Sequence, residues 1–229
     1  MDLSIVIPCY NEVKTIREIL RRVEAALLPG WDREIVVVDD GSTDGTREAL
    51  QSHGSPFRLI VQDKNQGKGF AVRTGIAAAT GDYVIIQDAD LEYDPQDIAG
   101  LLEALDRGVG EVIYGSRNLR SAREPGFLIP RLGVWMITKL INAMYGLRLT
   151  DVWTCYKLFP RELGKYFSGG GFEAELLFTA AVARRGFTIA EAPISHHPRT
   201  YAQGKKIKVA HGIKALVLLI TDRLKNFYA

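Results

Sequence analysis

The 229-residue chain is 47% hydrophobic and 24% charged, a mixture that excludes disordered, collagen-like and coiled-coil chains and gives enough length for a full core. Its 29 Lys and Arg against 27 Asp and Glu leave +2, too balanced for a general nucleic-acid binder, so no nucleic-acid partner is expected. The balance is uneven: residues 184–229 hold nine Lys or Arg against Glu191 and Asp222, so this end is +7 and residues 1–183 are −5, which points the basic end toward something anionic.

LSIVIP reads as a strand ending at Pro8. Val13, Ile16, Ile19, Leu20, Val23 and Leu27 then recur at helical spacing up to Pro29 and Gly30. EIVVVDD is a nearly continuous β-branched run, as in a parallel strand covered on both faces. GSTDGT is its turn and TREALQSHG a short helix. FRLIVQD makes a third strand, NQGKG a loop, FAVRTGIAAATG a helix and DYVIIQDAD a fourth strand. PQDIAGLLEALDRG is helical, with Pro95 at its start and Gly108 at its end, and EVIYGSR is a fifth strand. This alternation predicts a doubly wound α/β fold whose ligands lie beyond the carboxyl ends of the strands.

After Arg117 the rhythm changes. A loop, NLRSAREPG, precedes a long apolar helix from about Leu128 to Tyr145, then come a turn at Thr150 and Asp151 and a strand, CYKLFP. A helix over GFEAELLFTAAVARRG, a strand FTIAEAPI, the basic loop HHPRTYAQGKK and a final helix over about 206–228 complete the chain. We read one unit, 1–229, with a nucleotide half (1–117) and an acceptor half (118–229). Cys9 and Cys155 are too few for a disulfide framework and have no CxxC spacing. No signal peptide is recognised, and no apolar run reaches the roughly 20 residues that span a bilayer, so a cytoplasmic location is expected.

The chain has neither GxGxxG after a strand nor GxxxxGK[ST], which removes the main support for dinucleotide dehydrogenases and P-loop NTPases. Asp88-Ala89-Asp90 is more informative. Two acids one residue apart point to opposite faces of a regular strand and converge only where the strand has ended, as YVII has. They could then face one hard divalent cation, with Glu92 as a third oxygen ligand, although Asp is also common after strands as a turn former. Asp39 and Asp40 close the second strand. Asp39 reads as the acid that caps the turn and Asp40 as a ligand for a base or ribose. Lys68 in NQGKG suits a phosphate or is a solvated surface lysine. Tyr10 and Glu12, after Pro8, suit a base and a ribose, or else the core and a helix cap.

IVIPCYNE, VVVDDGSTDGT, NQGKGFAVRTG, GDYVIIQDADLEYDP, GSR and TDVWTCYKLF together resemble the inverting GT-A glycosyltransferases of family 2, in particular the dolichyl-phosphate mannose synthases and bacterial polyprenyl-phosphate glycosyltransferases. The resemblance covers nearly the whole chain. It implies a GT-A, Rossmann-like fold with a mostly parallel sheet and helices on both faces. It also implies a nucleoside-diphosphate sugar donor of the GDP-mannose or UDP-glucose type. Pro8, Tyr10, Glu12 and Asp40 would surround the nucleoside, Asp88, Ala89 and Asp90 the diphosphate, with Mg²⁺ or Mn²⁺ held by Asp88, Asp90 and Glu92. Glu92 departs from the Gln often found there in lipid-phosphate members.

Arg117, Arg131 and Arg199 are candidates for an anionic acceptor, since Arg binds phosphate bidentately, and by resemblance they lie near the acceptor phosphate and the donor diphosphate. A phosphate monoester, with a second pKa of about 6, is already ionised at neutral pH and needs no base. A hydroxyl acceptor would need one, and Asp151, Glu173 or Glu175 could serve. The helix at 128–145 is apolar except for a stripe of Arg131, Thr138 and Asn142, and suits the core, a homodimer interface or a bilayer surface. The final helix suits anionic headgroups or the protein's own core. The expectation is a metal-dependent inverting hexosyltransferase acting on a lipid phosphate at the inner membrane face, with Asp90, Arg117, Arg199 and Asp151 carrying the chemistry. Transfer to a hydroxyl acceptor, a non-catalytic nucleotide-sugar module and a sugar nucleotidyltransferase are the alternatives.

Overall fold

A computed structural model describes residues 1–54, 56–119, 128–171, 173–199, 216–221 and 223. Seven strands, β1 (Asp2–Cys9), β2 (Asp32–Asp39), β3 (Arg58–Val61), β4 (Tyr83–Ile86), β5 (Val112–Ser116), β6 (Lys157–Pro160) and β7 (Ile189–Pro193), form one sheet in the order β3-β2-β1-β4-β6-β5-β7. The helices are α1 (Ile16–Ala25), α2 (Thr46–Gln51), α3 (Lys68–Ala78), α4 (Ile98–Asp106), α5 (Leu128–Tyr145) and α6 (Ala174–Arg184), with a further helical stretch at 216–221.

Pairing is parallel from β3 through β2 and β1 to β4, with Ile5 opposite Ile35 and Ile85. β6 runs antiparallel to both β4 and β5, while β5 and β7 are parallel. The expected mostly parallel sheet therefore contains one reversed strand. The central strands are buried on both faces, which explains their continuous apolar sequence. Ile5, Ile7, Ile35, Val37 and Ile85 pack with α1 and α4 residues such as Ile19, Leu20 and Leu101. Val6, Val36, Val84 and Ile86 point the other way, into a second core with Val72 of α3 and Phe178 of α6.

Helix α1 buries Ile16, Ile19, Leu20 and Val23, as its periodicity predicts. It stops at Ala25, so Leu27 falls beyond the periodic stripe and is exposed, and Val13 precedes the first turn and is also exposed. In α5 two members of the polar stripe face inward: Thr138 is buried beside Ile137 and Ile141, and Asn142 bonds both the N–H and the carbonyl of Leu149. Leu132, Trp135 and Met136 are exposed. Leu219 of the stretch at 216–221 is buried in the second core. The rest of the predicted 206–228 helix, with most of the basic end, lies outside the described residues. Among the described residues no helix is long and apolar enough to cross a membrane.

Candidate active site

β1 leads outward to β2 and β3 on one side and to β4 on the other, and a crevice opens where that order reverses, beyond the carboxyl ends of the strands. A cleft of about 310 Å³ occupies it. Pro8, Tyr10 and Glu12 reach it from the end of β1, Asp40 from β2, Lys68 from α3, and Asp88, Ala89, Asp90 and Glu92 from β4. Arg117 enters from the end of β5 and Arg199 from the acceptor half. Asp151 does not line the cleft. Arg131 lies in α5, and its side chain is outside the described residues.

The turn after β4 fixes the acids. Leu91 has φ +63, a left-handed conformation that a bulky side chain adopts only when its surroundings over-determine it. Here the Asp90 carboxylate accepts from the Glu92 N–H at 3.1 Å, and the Glu92 carbonyl accepts from the His197 N–H at 2.9 Å. With the backbone so turned, Asp90 and Glu92 converge with Glu12 on one cation, the guanidinium of Arg199. Nη2 lies 2.9 Å from Asp90, Nη1 lies 3.0 Å from Glu12, and Nε lies 3.6 Å from Glu92. His196 adds a contact to Glu92 at 3.2 Å. Burial pushes Asp90 up to about 7, reinforced by Asp88 and Glu92 and opposed by Arg199.

Asp88 points elsewhere, to Lys68 Nζ at 2.6 Å. Burial alone would raise its pKa, but the Lys68 ammonium, a hydrogen bond with Cys155 and the charge of Arg199 together hold the carboxyl below its ordinary value. The cage of three carboxylates expected from the sequence is thus not preformed, and among the described residues no three acidic, His or Cys side chains are arranged to hold a metal. The donor set still fits a hard cation. Mg²⁺ is usually held by one or two carboxylates together with substrate phosphates, and the carboxylates of Asp90 and Glu12 already converge on a positive group, Arg199.

Asp39 caps the turn as expected, accepting from the Ser42 N–H and pairing with Arg47. Asp40 accepts from the Gln66 and Gly67 N–H groups at 2.8 and 2.9 Å, so it pins the NQGKG loop to the rim as well as lining the cleft. Lys68 proves to be the first residue of α3 rather than a loop residue. Asp151 requires a correction as a candidate base. It is fully buried, and its two oxygens grip Nε and Nη2 of Arg117 at 2.6 and 2.7 Å in a bidentate fork. Its effect on the cleft passes through Arg117. Glu173 and Glu175 are likewise buried and absent from the lining.

Sequence reasoning did not propose Cys9, Tyr93, Trp153, Cys155 or His196 as site residues. The first four line the cleft, and His196 braces Glu92. TDVWTCYKLF carried the only signal for Trp153 and Cys155, and HHPRTYAQGKK the only one for His196.

Residues 4–167 match the family described as Glycosyl transferase family 2. The chain belongs to that family. Among curated relatives it is 29% identical over 235 residues to the dodecaprenyl-phosphate galacturonate synthase of Rhizobium johnstonii, covering 100% of this chain and 67% of the relative. It is 38% identical over 125 residues to the dolichol-phosphate mannosyltransferase of Pyrococcus furiosus, covering 54% and 35%. The chain therefore spans between about a third and two thirds of the length of these two relatives. Among solved structures, glucosyl-3-phosphoglycerate synthase from Mycobacterium tuberculosis, in complex with Mn²⁺, UDP and phosphoglyceric acid, superposes with a TM-score of 0.75 at 20% identity, covering 97% of this chain and 78% of that one. This likeness identifies the fold as GT-A.

Proposed function

We propose that the protein is a metal-dependent inverting glycosyltransferase that moves a hexose from a nucleoside-diphosphate sugar to a polyprenyl phosphate at a membrane surface. The observation that carries the reading is the meeting of Arg117, at the end of β5, and Arg199, from the acceptor half, with the acids of the β4 turn in one cleft at the switch point. Both named relatives are lipid-phosphate glycosyltransferases by name, which supports the acceptor class.

In this reading Pro8, Tyr10, Glu12 and Asp40 line the nucleoside end, and Lys68 with Asp88, Ala89 and Asp90 lines the diphosphate end. Asp90 and Glu92, joined by Asp88 where it turns from Lys68, are the residues that would hold Mg²⁺ or Mn²⁺, which would supply Lewis-acid stabilisation of the departing diphosphate. Arg117 and Arg199 offer planar donor forks matched to a phosphate. Arg131 is assigned to the same acceptor by its place in the sequence. An ionised phosphate attacks the anomeric carbon in line as the glycosidic oxygen leaves with its electron pair on the nucleoside diphosphate, inverting the centre. No base is required, consistent with Asp151 being committed to Arg117. Asp151 holds that arginine in its fork. Trp135 and Met136, exposed on α5, support peripheral docking on the cytoplasmic face of a membrane.

The test is transfer of radiolabelled sugar from UDP- and GDP-hexoses, with Mn²⁺, to a short polyprenyl phosphate. The expected product extracts into organic solvent and releases its sugar in mild acid. Label appearing only in water-soluble glycans would overturn the acceptor assignment.

A further inference from the structure

Beneath the cleft, four side chains of alternating charge form a continuous line from the interior to the diphosphate end. Lys157 Nζ, at the start of β6, lies 3.0 Å from Glu175 Oε2 in the first turn of α6. Glu175 Oε1 lies 3.7 Å from Lys68 Nζ, which lies 2.6 Å from Asp88 Oδ1. Lys157 and Glu175 are buried, and neither lines the cleft, whereas Lys68 and Asp88 do.

We infer that Glu175 and Lys157 are positioning residues for the diphosphate end of the cleft, holding the Lys68 ammonium at its edge. This rests on reading the cleft as a nucleotide-sugar site.

Three observations carry it. Burying an ion pair costs desolvation that an apolar pair of similar shape avoids, and this pair leaves both Glu175 oxygens without an aligned hydrogen bond. Its stabilising value is therefore poor, while its electrostatic reach extends to a residue that lines the cleft. Secondly, Lys68 is the first residue of α3, where the helix dipole disfavours a cation, so the ammonium depends on anions to stay in place. If Asp88 turns toward a bound ligand, Glu175 remains as its second anion. Thirdly, Lys157 has its own fixed surroundings. Its Nζ donates to the Thr154 carbonyl and sits 4.8 Å from the centre of the Tyr114 ring, so the far end of the line cannot swing with the cleft. Lys68 is also 2.9 Å from Cys155 Sγ, which borders it on the side of β6.

The experiment measures Mn²⁺-dependent binding of UDP and GDP by calorimetry in the wild type, in Glu175→Gln and in the charge-balanced Glu175→Gln/Lys157→Met. The second variant removes both buried charges together, so that failure of Glu175→Gln to fold does not end the test. The expected result for a folded variant is nucleotide binding about 10- to 100-fold weaker, the size of outer-shell effects. Glu175→Asp should recover part of it, and the loss should disappear when Lys68→Met is already present. Wild-type affinity in the double variant, or an undiminished loss in the Lys68→Met background, would overturn the inference. If the wild type binds neither nucleotide, the reading of the cleft fails instead. A crystal structure of the double variant then decides the positioning claim: Lys68 unmoved against Asp88 and Cys155 sinks it, and Lys68 displaced sustains it.

Discussion

At Asp90 burial, helped by Asp88 and Glu92, lifts the carboxyl from 3.8 to about 7 against the pull of Arg199. The folded protein therefore holds a proton there that the unfolded chain has already lost. Through this group, stability falls as pH rises from about 4 to about 7. A cation that binds the carboxylate must displace that proton. Titration with Mn²⁺ should release about one proton per ion at pH 6 and almost none at pH 8, read by calorimetry in buffers of differing ionisation heat. Asp90→Asn should abolish the release, whereas heats independent of buffer would contradict the assignment. Asp151 gives a second prediction. As a base for a hydroxyl acceptor it would affect turnover and leave stability alone. As the buried partner of Arg117, its replacement by Asn should cost about 3 kcal/mol, because a largely buried guanidinium loses its counter-charge. Chemical denaturation of Asp151→Asn separates the two, and unchanged stability would revive the base.

The elements meet at the cleft through glycine. Gly67 has φ +98, and a Cβ there would stand 2.3 Å from the Gly170 carbonyl oxygen. The neighbouring Gly69 N–H donates to that same oxygen at 3.1 Å. The NQGKG loop and the loop before α6 thus touch backbone to backbone, which brings Lys68 toward Glu175. Gly67→Ala should cost about 2–3 kcal/mol, lowering Tm by roughly 4–12 °C, and should weaken nucleotide binding as well. Gly100→Ala, exposed in α4 with nothing within 4 Å of the added carbon, should be neutral or stabilising. Equal losses in both variants would deny the loop contact. Such contacts mark what sequence could reveal. Helical and strand patterns gave β1 to β7 and α1 to α6 because each is local, and the acids collected on one rim because strand ends are local too. The reversal of β6 and the Arg117–Asp151 fork join residues distant along the chain, and no period records them. Lys68 was misplaced in a loop because Gly67 disguised the start of α3.

Across the whole molecule, α5 inverts the usual arrangement of a surface helix. Thr138 and Asn142 face the protein, while Leu132, Trp135 and Met136 stand in solvent, 57%, 57% and 58% exposed. Val217 and Ile220, on the stretch at 216–221 whose Leu219 joins the same core as Ile137 and Ile141, are exposed as well. Periodicity separated the polar stripe from the rest but carried no sign of which side would be covered. A lipid acceptor has its phosphate at the headgroup level. An enzyme that draws it into the cleft gains from an apolar, Trp-bearing face. Transferring Trp135 or Met136 from water into that region is worth about 1.4 kcal/mol each, tenfold in partitioning. Trp135→Ser and Met136→Ser should each weaken flotation with anionic vesicles about tenfold. Neither should change Tm, since both side chains are already more than half exposed. If the face instead joins two copies of the chain, the same substitutions will shift the oligomeric state seen by sedimentation and leave vesicle binding untouched.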